Sequence, residues 1–203
     1  MNLKAENISF SYNKKRPILK DISLSLDSNQ IIGLMGDSGS GKSTLCKIIS
    51  GYITNFTGNV TIDGKEVPRN DFDPIQLIFQ HPEKTMNPKW KMQKVLTESW
   101  NPPQDLRDTF GLKDAWLTRW PSELSGGELQ RFSILRALNP ETKFIIADEI
   151  STMLDAVTQV QIWEKLLNHA KSNNIGILAV SHDSELLEVI CDDILYFDEI
   201  NKM

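Results

Sequence analysis

Apolar and polar side chains alternate through residues 3–12, with Ile8, Phe10 and Tyr12 in step, and again through 18–27, with Ile22, Leu24 and Leu26. A period of two puts every second side chain on one face, so both segments are predicted to be half-buried strands. Val60–Val67 continues the theme and is predicted to be a hairpin turning at Asp63-Gly64. These strands are expected to form an antiparallel layer. Three other segments carry uninterrupted apolar runs: Ile31–Met35, Phe144–Ala147 and Ile177–Val180. Such runs suit parallel strands buried on both faces. Each runs straight into polar, chemically capable residues, and the carboxyl ends of strands are where α/β sheets place their sites. Helical periodicity follows over 42–50, 126–138, 157–172 and 184–191, and Ile194–Phe197 is predicted to be a last strand. The predicted class is α/β, with no internal repeat.

The stretch between these regular flanks is different. Seven of the nine prolines lie between Pro68 and Pro121, and four of the five tryptophans lie between Trp90 and Trp120, so this part should not continue the sheet. A length of 203 residues with 40% apolar and 24% charged side chains fits one domain, with room for a small subdomain. The net charge of −5 argues against general nucleic-acid binding, which needs a basic face. No apolar run approaches the ~18 residues of a membrane span. Residues 1–6 show no apolar signal segment. Two cysteines, Cys46 and Cys191, are too few for a disulfide framework and are expected to be reduced, structural thiols.

Gly36-Asp37-Ser38-Gly39-Ser40-Gly41-Lys42-Ser43 fits G-x-x-x-x-G-K-[ST] between a predicted strand and a predicted helix. Glycines let the backbone curl so that successive N–H groups converge on phosphate oxygens, and the helix adds its positive N-terminal end. Lys42 is expected to reach the β- and γ-phosphates of a nucleotide, Ser43 to ligate Mg²⁺, and Thr44 to add a bond to phosphate. The bland alternative, a chance Gly-rich turn, does not explain the strand–loop–helix setting. The apolar strand before Asp148 and Glu149 delivers two carboxylates to its exposed end. Asp148 is the candidate to hold Mg²⁺ through water, and Glu149 the candidate base that polarises an attacking water. A third segment, Leu124-Ser125-Gly126-Gly127-Glu128-Leu129-Gln130-Arg131, opens a helix with a Ser125/Glu128 capping box and an apolar stripe of Leu129, Phe132, Leu135 and Leu138. Two glycines in its first turn weaken a helix. They make sense where backbone must approach something closely, and an anion at the helix N-terminus is the natural candidate.

With these motifs in this order, nearly the whole chain resembles the ABC transporter ATPase family. LSGGELQR is similar to that family's signature, which contacts the γ-phosphate of ATP held by the opposite subunit; this implies that role for Ser125, Gly126 and Gly127. The resemblance also implies that Tyr12 packs on adenine, that Gln80 in Leu77-Ile78-Phe79-Gln80 senses Mg²⁺ and the γ-phosphate and links to membrane subunits, that Asp155 in Met153-Leu154-Asp155 reaches across a dimer, and that His182 in Val180-Ser181-His182-Asp183 is the switch histidine near the γ-phosphate. The implied fold is a P-loop NTPase with a RecA-like parallel-sheet core, an N-terminal antiparallel β layer and a small helical subdomain over about 83–135, all within a single domain of 1–203.

The resemblance narrows further. Phe79-Gln80-His81-Pro82 with Met86-Asn87-Pro88, and Ala156-Val157-Thr158-Gln159-Val160-Gln161-Ile162-Trp163, look like the ATPases of peptide and nickel importers, and Trp120-Pro121-Ser122-Glu123 before the signature resembles the importer form rather than the exporter form. Two departures stand out: Ile150 where the family usually has Pro, and Ser151-Thr152-Met153 in place of the common T-S-A. The group's usual C-terminal extension has no counterpart before Met203, so no added regulatory or dimerisation domain is expected. What the resemblance implies is an ATP- and Mg²⁺-dependent ATPase that pairs head to tail with a second ATPase subunit around two ATP. It would energise integral permease subunits at the cytoplasmic face of the membrane, and serve an extracellular solute-binding protein indirectly. Cargo would be peptide, nickel or a metal chelate, with no nucleic acid involved. Two other readings remain open: an ABC-type ATPase not coupled to transport, and a P-loop phosphotransferase, which leaves LSGGELQR unexplained. The tryptophans either build a mini-core or face a groove for a helix of a membrane subunit.

Overall fold

A computed structural model describes residues 1–12, 17–67, 72–152 and 154–202. The chain divides into two compact units, one of residues 1–77, 141–148 and 170–203 and the other of 78–140 and 149–169.

The first unit holds both sheets. β1 (Asn2–Phe10), β2 (Leu19–Asp27), β4 (Thr57–Ile62) and β5 (Lys65–Glu66) form an antiparallel layer in the order β2-β1-β4-β5. The alternation seen in the sequence is the alternation of burial: Leu3, Ala5 and Ile8 of β1 and Ile22, Leu24 and Leu26 of β2 point into the core. The register slips between Ala5 and Ile8, and Asn7, with φ of 54°, is the residue that absorbs the bulge. The hairpin turns where predicted, with Asp63 and Gly64 both at positive φ, 51° and 74°, as a type I′ turn requires.

The second sheet runs β6 (Ile75–Ile78), β7 (Phe144–Asp148), β8 (Gly176–Ser181), β3 (Ile31–Met35), β9 (Asp193–Tyr196). The β7–β8, β8–β3 and β3–β9 pairs are parallel. Every residue of β7 and β8 is buried, which is why their sequences carry no alternation. Helices α1 (Lys42–Ile49), α7 (Ser184–Ile190) and α8 (Phe197–Ile200) belong to this unit. The two layers meet closely at Gly176, where a Cβ would sit 2.6 Å from the carbonyl oxygen of Asp27. Three departures from expectation bear on the site: β1 ends at Phe10, so Tyr12 lies beyond the strand. β6 is a strand that four residues in a proline-rich stretch did not announce, and β9 ends at Tyr196 because Phe197 turns into α8.

The second unit is helical: α2 (Met92–Leu96), α3 (Gln104–Thr109), α4 (Asp114–Leu117), α5 (Gly126–Ala137) and most of α6 (Ala156–Asn173), with 3₁₀ turns at Pro82–Lys84 and Pro121–Glu123. Its core is Met92, Val95, Leu96, Phe110, Leu112, Trp116, Leu129, Phe132 and Leu135. The other tryptophans of this stretch are only partly covered. The Trp100 indole N–H donates to the Leu135 carbonyl at the end of α5 (3.1 Å), and Lys94 lies over the Trp90 ring at 4.0 Å. Trp120 is 38% exposed.

Both cysteines are free thiols. Cys46 is fully buried in α1, and burial, with Asp148 adding to it, raises its pKa well above the ordinary thiol value. Cys191 packs toward Gly33 of β3, where a Cβ would lie 3.2 Å from its Sγ, and burial followed by Asp192 pushes it up to about 12. The thiolate is the nucleophile, and its scarcity outweighs its greater basicity. Native protein treated with iodoacetamide at pH 8 should therefore be modified at Cys191 about thirty-fold more slowly than an exposed cysteine. Cys46 should react only after denaturation, as peptide mass spectrometry would read.

Candidate functional site

In the first unit, the chain leaves β3 at Met35 and curls through Gly36–Gly41 into α1. Two glycines are needed for steric reasons. A Cβ on Gly36 would lie 2.8 Å from the Phe197 Cβ. Gly41, at φ 119°, has Ile18 Cγ2 at 2.9 Å and Phe197 Cζ at 3.3 Å from where its Cβ would be. The loop thus rests on an apolar floor of Ile18, Leu19 and Phe197, none of which the motif itself contains. Gly39, at φ 81°, has open space around it. Asp37 and Ser38 are exposed on the outer side.

Lys42 is only 4% exposed, and its ammonium donates to the carbonyls of Gly36 (2.6 Å) and Asp37 (2.7 Å). The loop is therefore wrapped around a cation. Ser40 Oγ is buried without a hydrogen-bond partner among the described residues, an arrangement that an anion or a water in the loop would satisfy. Ser43 Oγ donates to Asp148 Oδ1 at 3.2 Å, bringing α1 and the end of β7 together although the residues are 105 apart in sequence. Asp148 is 5% exposed. A hydroxyl and a buried carboxylate side by side are hard oxygen donors of the kind that hold Mg²⁺, which keeps several waters and phosphate oxygens in its shell, so these residues fit that ion.

Tyr12 is 59% exposed, so it is not a core residue. Its ring stands edge-on to Phe10 with centroids 4.8 Å apart, and its hydroxyl lies 3.5 Å from Thr44 Oγ1. An aromatic face is thereby presented beside the phosphate loop. His182 is exposed on the loop that leaves β8, immediately before Asp183, which caps α7 by accepting from Leu186 N–H at 3.1 Å.

The second unit carries the remaining candidates. Glu149 stands in the left-handed region, at φ 48°, and its carboxylate accepts a hydrogen bond from Gln80 Nε2 at 2.7 Å. That contact, between residues 69 apart, engages the amide nitrogen of Gln80. The Glu149 carbonyl accepts from Thr152 Oγ1 at 3.0 Å. Ser125 caps α5, accepting from Glu128 N–H at 3.4 Å while the Glu128 carboxylate accepts from Ser125 N–H at 2.7 Å, so the capping box is present. A Cβ on Gly127 would lie 3.0 Å from Leu154 Cδ2, which puts the start of α5 against the segment before α6. Gly126 is half-buried in the same turn.

Asp155 caps α6, accepting from Thr158 N–H (3.0 Å) and Thr158 Oγ1 (2.7 Å). Those two bonds, the hydroxyl first, hold its carboxyl below the usual carboxylate range. Arg131 donates to the Phe110 carbonyl, and burial lowers its pKa against the opposing pull of Asp155 and Glu128. Met153 of this segment lies outside the described residues.

Several contributors were not legible in the motifs. The sequence predicts a strand at Phe197, where the chain turns into α8. Ser151 and Trp163, which pair in the interior, carried no spacing signal. Thr158, the residue that engages Asp155, had only its place three residues after an Asp, the spacing of an N-cap.

Residues 19–152 match the family model described as ABC transporter. The chain is 31% identical over 207 residues, covering 95% of its length and 85% of the other protein, to the nickel import system ATP-binding protein NikE of Staphylococcus aureus. A putative ABC transporter ATP-binding protein from Pyrococcus furiosus has the same fold, with a TM-score of 0.81 at 18% identity and full coverage of both chains. So does an ATP-binding cassette solved as a dimer in a post-hydrolysis state with ADP and Pi, with a TM-score of 0.80 at 24% identity over 96% of this chain and 93% of that one. The chain belongs to the ABC transporter family, and it is an ATP-binding ATPase of that family.

Lys42→Ala removes the one buried cation of the phosphate loop. A charged hydrogen bond contributes about 1.5–3 kcal/mol, so ATP affinity should fall about 10- to 100-fold when measured by fluorescent-nucleotide titration. Undiminished affinity would count against the phosphate-loop assignment.

Proposed function

We propose that the chain is the energising subunit of a membrane importer, acting with a second ATPase subunit and with integral permease subunits at the cytoplasmic face of the membrane. The Ser43–Asp148 pair beside the buried Lys42 supports the nucleotide and Mg²⁺ part of this reading, and the likeness to a nickel import system ATP-binding protein supports the importer part. The proposed cargo is nickel, a metal chelate or a peptide, delivered by an extracellular solute-binding protein; of these, the likeness to a nickel import system ATP-binding protein supports nickel. No nucleic acid enters the scheme.

Adenine packs on Tyr12 while the N–H groups of Gly36–Thr44 and the Lys42 ammonium hold the phosphates. Ser43, Asp148 and Gln80 would hold Mg²⁺, which would supply positive charge to offset that of the phosphates. Glu149 accepts hydrogen bonding from the attacking water and raises its nucleophilicity, and His182 donates to the γ-phosphate as charge develops. Ser125, Gly126 and Gly127 present the N-terminal end of α5 to the nucleotide of the opposite subunit, and Asp155 reaches across the same interface. Two ATP molecules thus join two subunits head to tail, and hydrolysis releases them. Each cycle shifts the population between closed and open dimers, and permease subunits contacted by a helical subdomain over about 83–135 follow it.

Glu149→Gln keeps the shape of the side chain and removes the base. Hydrolysis should fall by about 10²-fold or more, with ATP binding retained and an ATP-dependent dimer accumulating on size exclusion. Turnover at the wild-type rate would overturn the role of Glu149. Recovery of the chain from membranes together with an integral partner tests the transport reading, and a chain recovered free of any such partner would favour an ATPase not coupled to transport.

A further inference from the structure

We propose that Trp163 and Ser151 are positioning residues for Glu149, a role that rests on reading Glu149 as the base. Glu149 is held in left-handed backbone, a conformation that a residue carrying a Cβ adopts only when its surroundings impose it. The next residue, Ile150, has no ring to fix its φ, so the chain must be held by contacts instead. The second unit supplies them. Ile150 is buried, with 2% exposed. Ser151 is 5% exposed, and its Oγ accepts from the Trp163 indole N–H at 3.2 Å. Trp163 is itself 2% exposed, between the buried Ile162 and Leu166 on α6. The Thr152 hydroxyl donates back to the Glu149 carbonyl at 3.0 Å. At the far end of the segment Asp155 is fastened to the first turn of α6 through Thr158.

The connection from Glu149 to α6 is therefore tied at three points, and the Trp163–Ser151 bond is the one inside the core. An indole N–H in an apolar core has no water to turn to, so its bond to Ser151 holds both partners in register. That bond transmits the rigidity of an 18-residue helix to a backbone two residues from the carboxylate. A base must be placed to within about half an ångström, and misplacement by about 1 Å costs on the order of 10²-fold in rate.

The experiment compares Trp163→Phe, Ser151→Ala and the double variant in the full chain, with thermal unfolding recorded for each. Trp163→Phe keeps a ring in the core and loses the N–H; Ser151→Ala loses the acceptor. For each single variant kcat should drop about tenfold, with KM and ATP affinity unchanged within about two-fold. The double variant should be no slower than either single one, because one bond is lost in all three. Ser151→Thr, which keeps the acceptor, should recover turnover. A residue that only stabilised the fold would lower the melting temperature and leave kcat intact below it, and that result overturns the proposal, as does an additive double variant. Should Trp163→Phe fail to fold, the Ser151→Ala and Ser151→Thr pair gives the same decision. Glu149→Gln run alongside separates the two failures: wild-type turnover there removes the base itself, whereas a slow Glu149→Gln with an unaffected Ser151→Ala removes only the brace.

Discussion

The structure is organised around a buried ammonium. Lys42 sits almost wholly out of water, hydrogen-bonded to two main-chain carbonyls of its own loop. Transferring a charge out of water costs several kcal/mol unless partners replace the lost hydration, and two carbonyl dipoles replace only part of it. A loop built this way favours an anion and sets requirements on everything near it. Its glycines must pass over Phe197 and Ile18 without Cβ atoms, and α1 must start where it does for Ser43 to meet Asp148. The strand order follows the same requirement. β8 lies between β3 and β7, so the phosphate loop, the acidic end of β7 and the loop carrying His182 all leave the sheet at its carboxyl edge.

Much of this could be read from the sequence because two kinds of signal are local. Alternation at Ile22, Leu24 and Leu26 and continuous apolar character through β7 and β8 report burial on one face or two, and burial decides strand type. The phosphate loop was legible because steric and hydrogen-bonding needs fix its residues at fixed spacing. What escaped was tertiary. The floor under the loop comes from Ile18 and Phe197, which are far from it in sequence and stand outside its motif. β6 is too short to show a period, and an apolar residue at a strand end, such as Phe197, looks the same whether the chain continues or turns. Gln80 bonded to Glu149 is likewise a contact across 69 residues, which motif order brings to mind but does not specify.

The proline- and tryptophan-rich middle is a case where composition gave a true signal about regularity and little about detail. Prolines at 82, 88, 102, 103 and 121 break the stretch into short helices of four to six residues, too short to be stable alone. Large side chains compensate. Trp116 and Phe110 are buried, Trp100 ties its indole to the end of α5, and α2 packs against both α5 and α4. Trp90 and Trp120 instead keep part of their rings outside, each beside a lysine ammonium at 4.0 and 5.4 Å. The four rings therefore do two things: some fill the interior, and others present amphipathic surface of the kind that suits a protein partner.

On the reading of Glu149 as the base, the segment 149–155 must hold that carboxylate without the proline the family usually carries at 150. Rigidity near a reacting carboxylate can come from a ring in the backbone, or from side chains that hold an ordinary backbone still, and the two are interchangeable only if the substitutes are buried. Here the substitutes are an isoleucine in the core, a serine bonded to an indole, and a threonine that returns a bond to the carbonyl of the strained residue. An exposed hydroxyl in the place of Ser151 would exchange its partner with water and hold nothing. The identity of residue 150 alone therefore says little about whether Glu149 is well placed. What decides it is residue 163, about two turns along the next helix, whose indole N–H bonds to Ser151 with no solvent to compete for it.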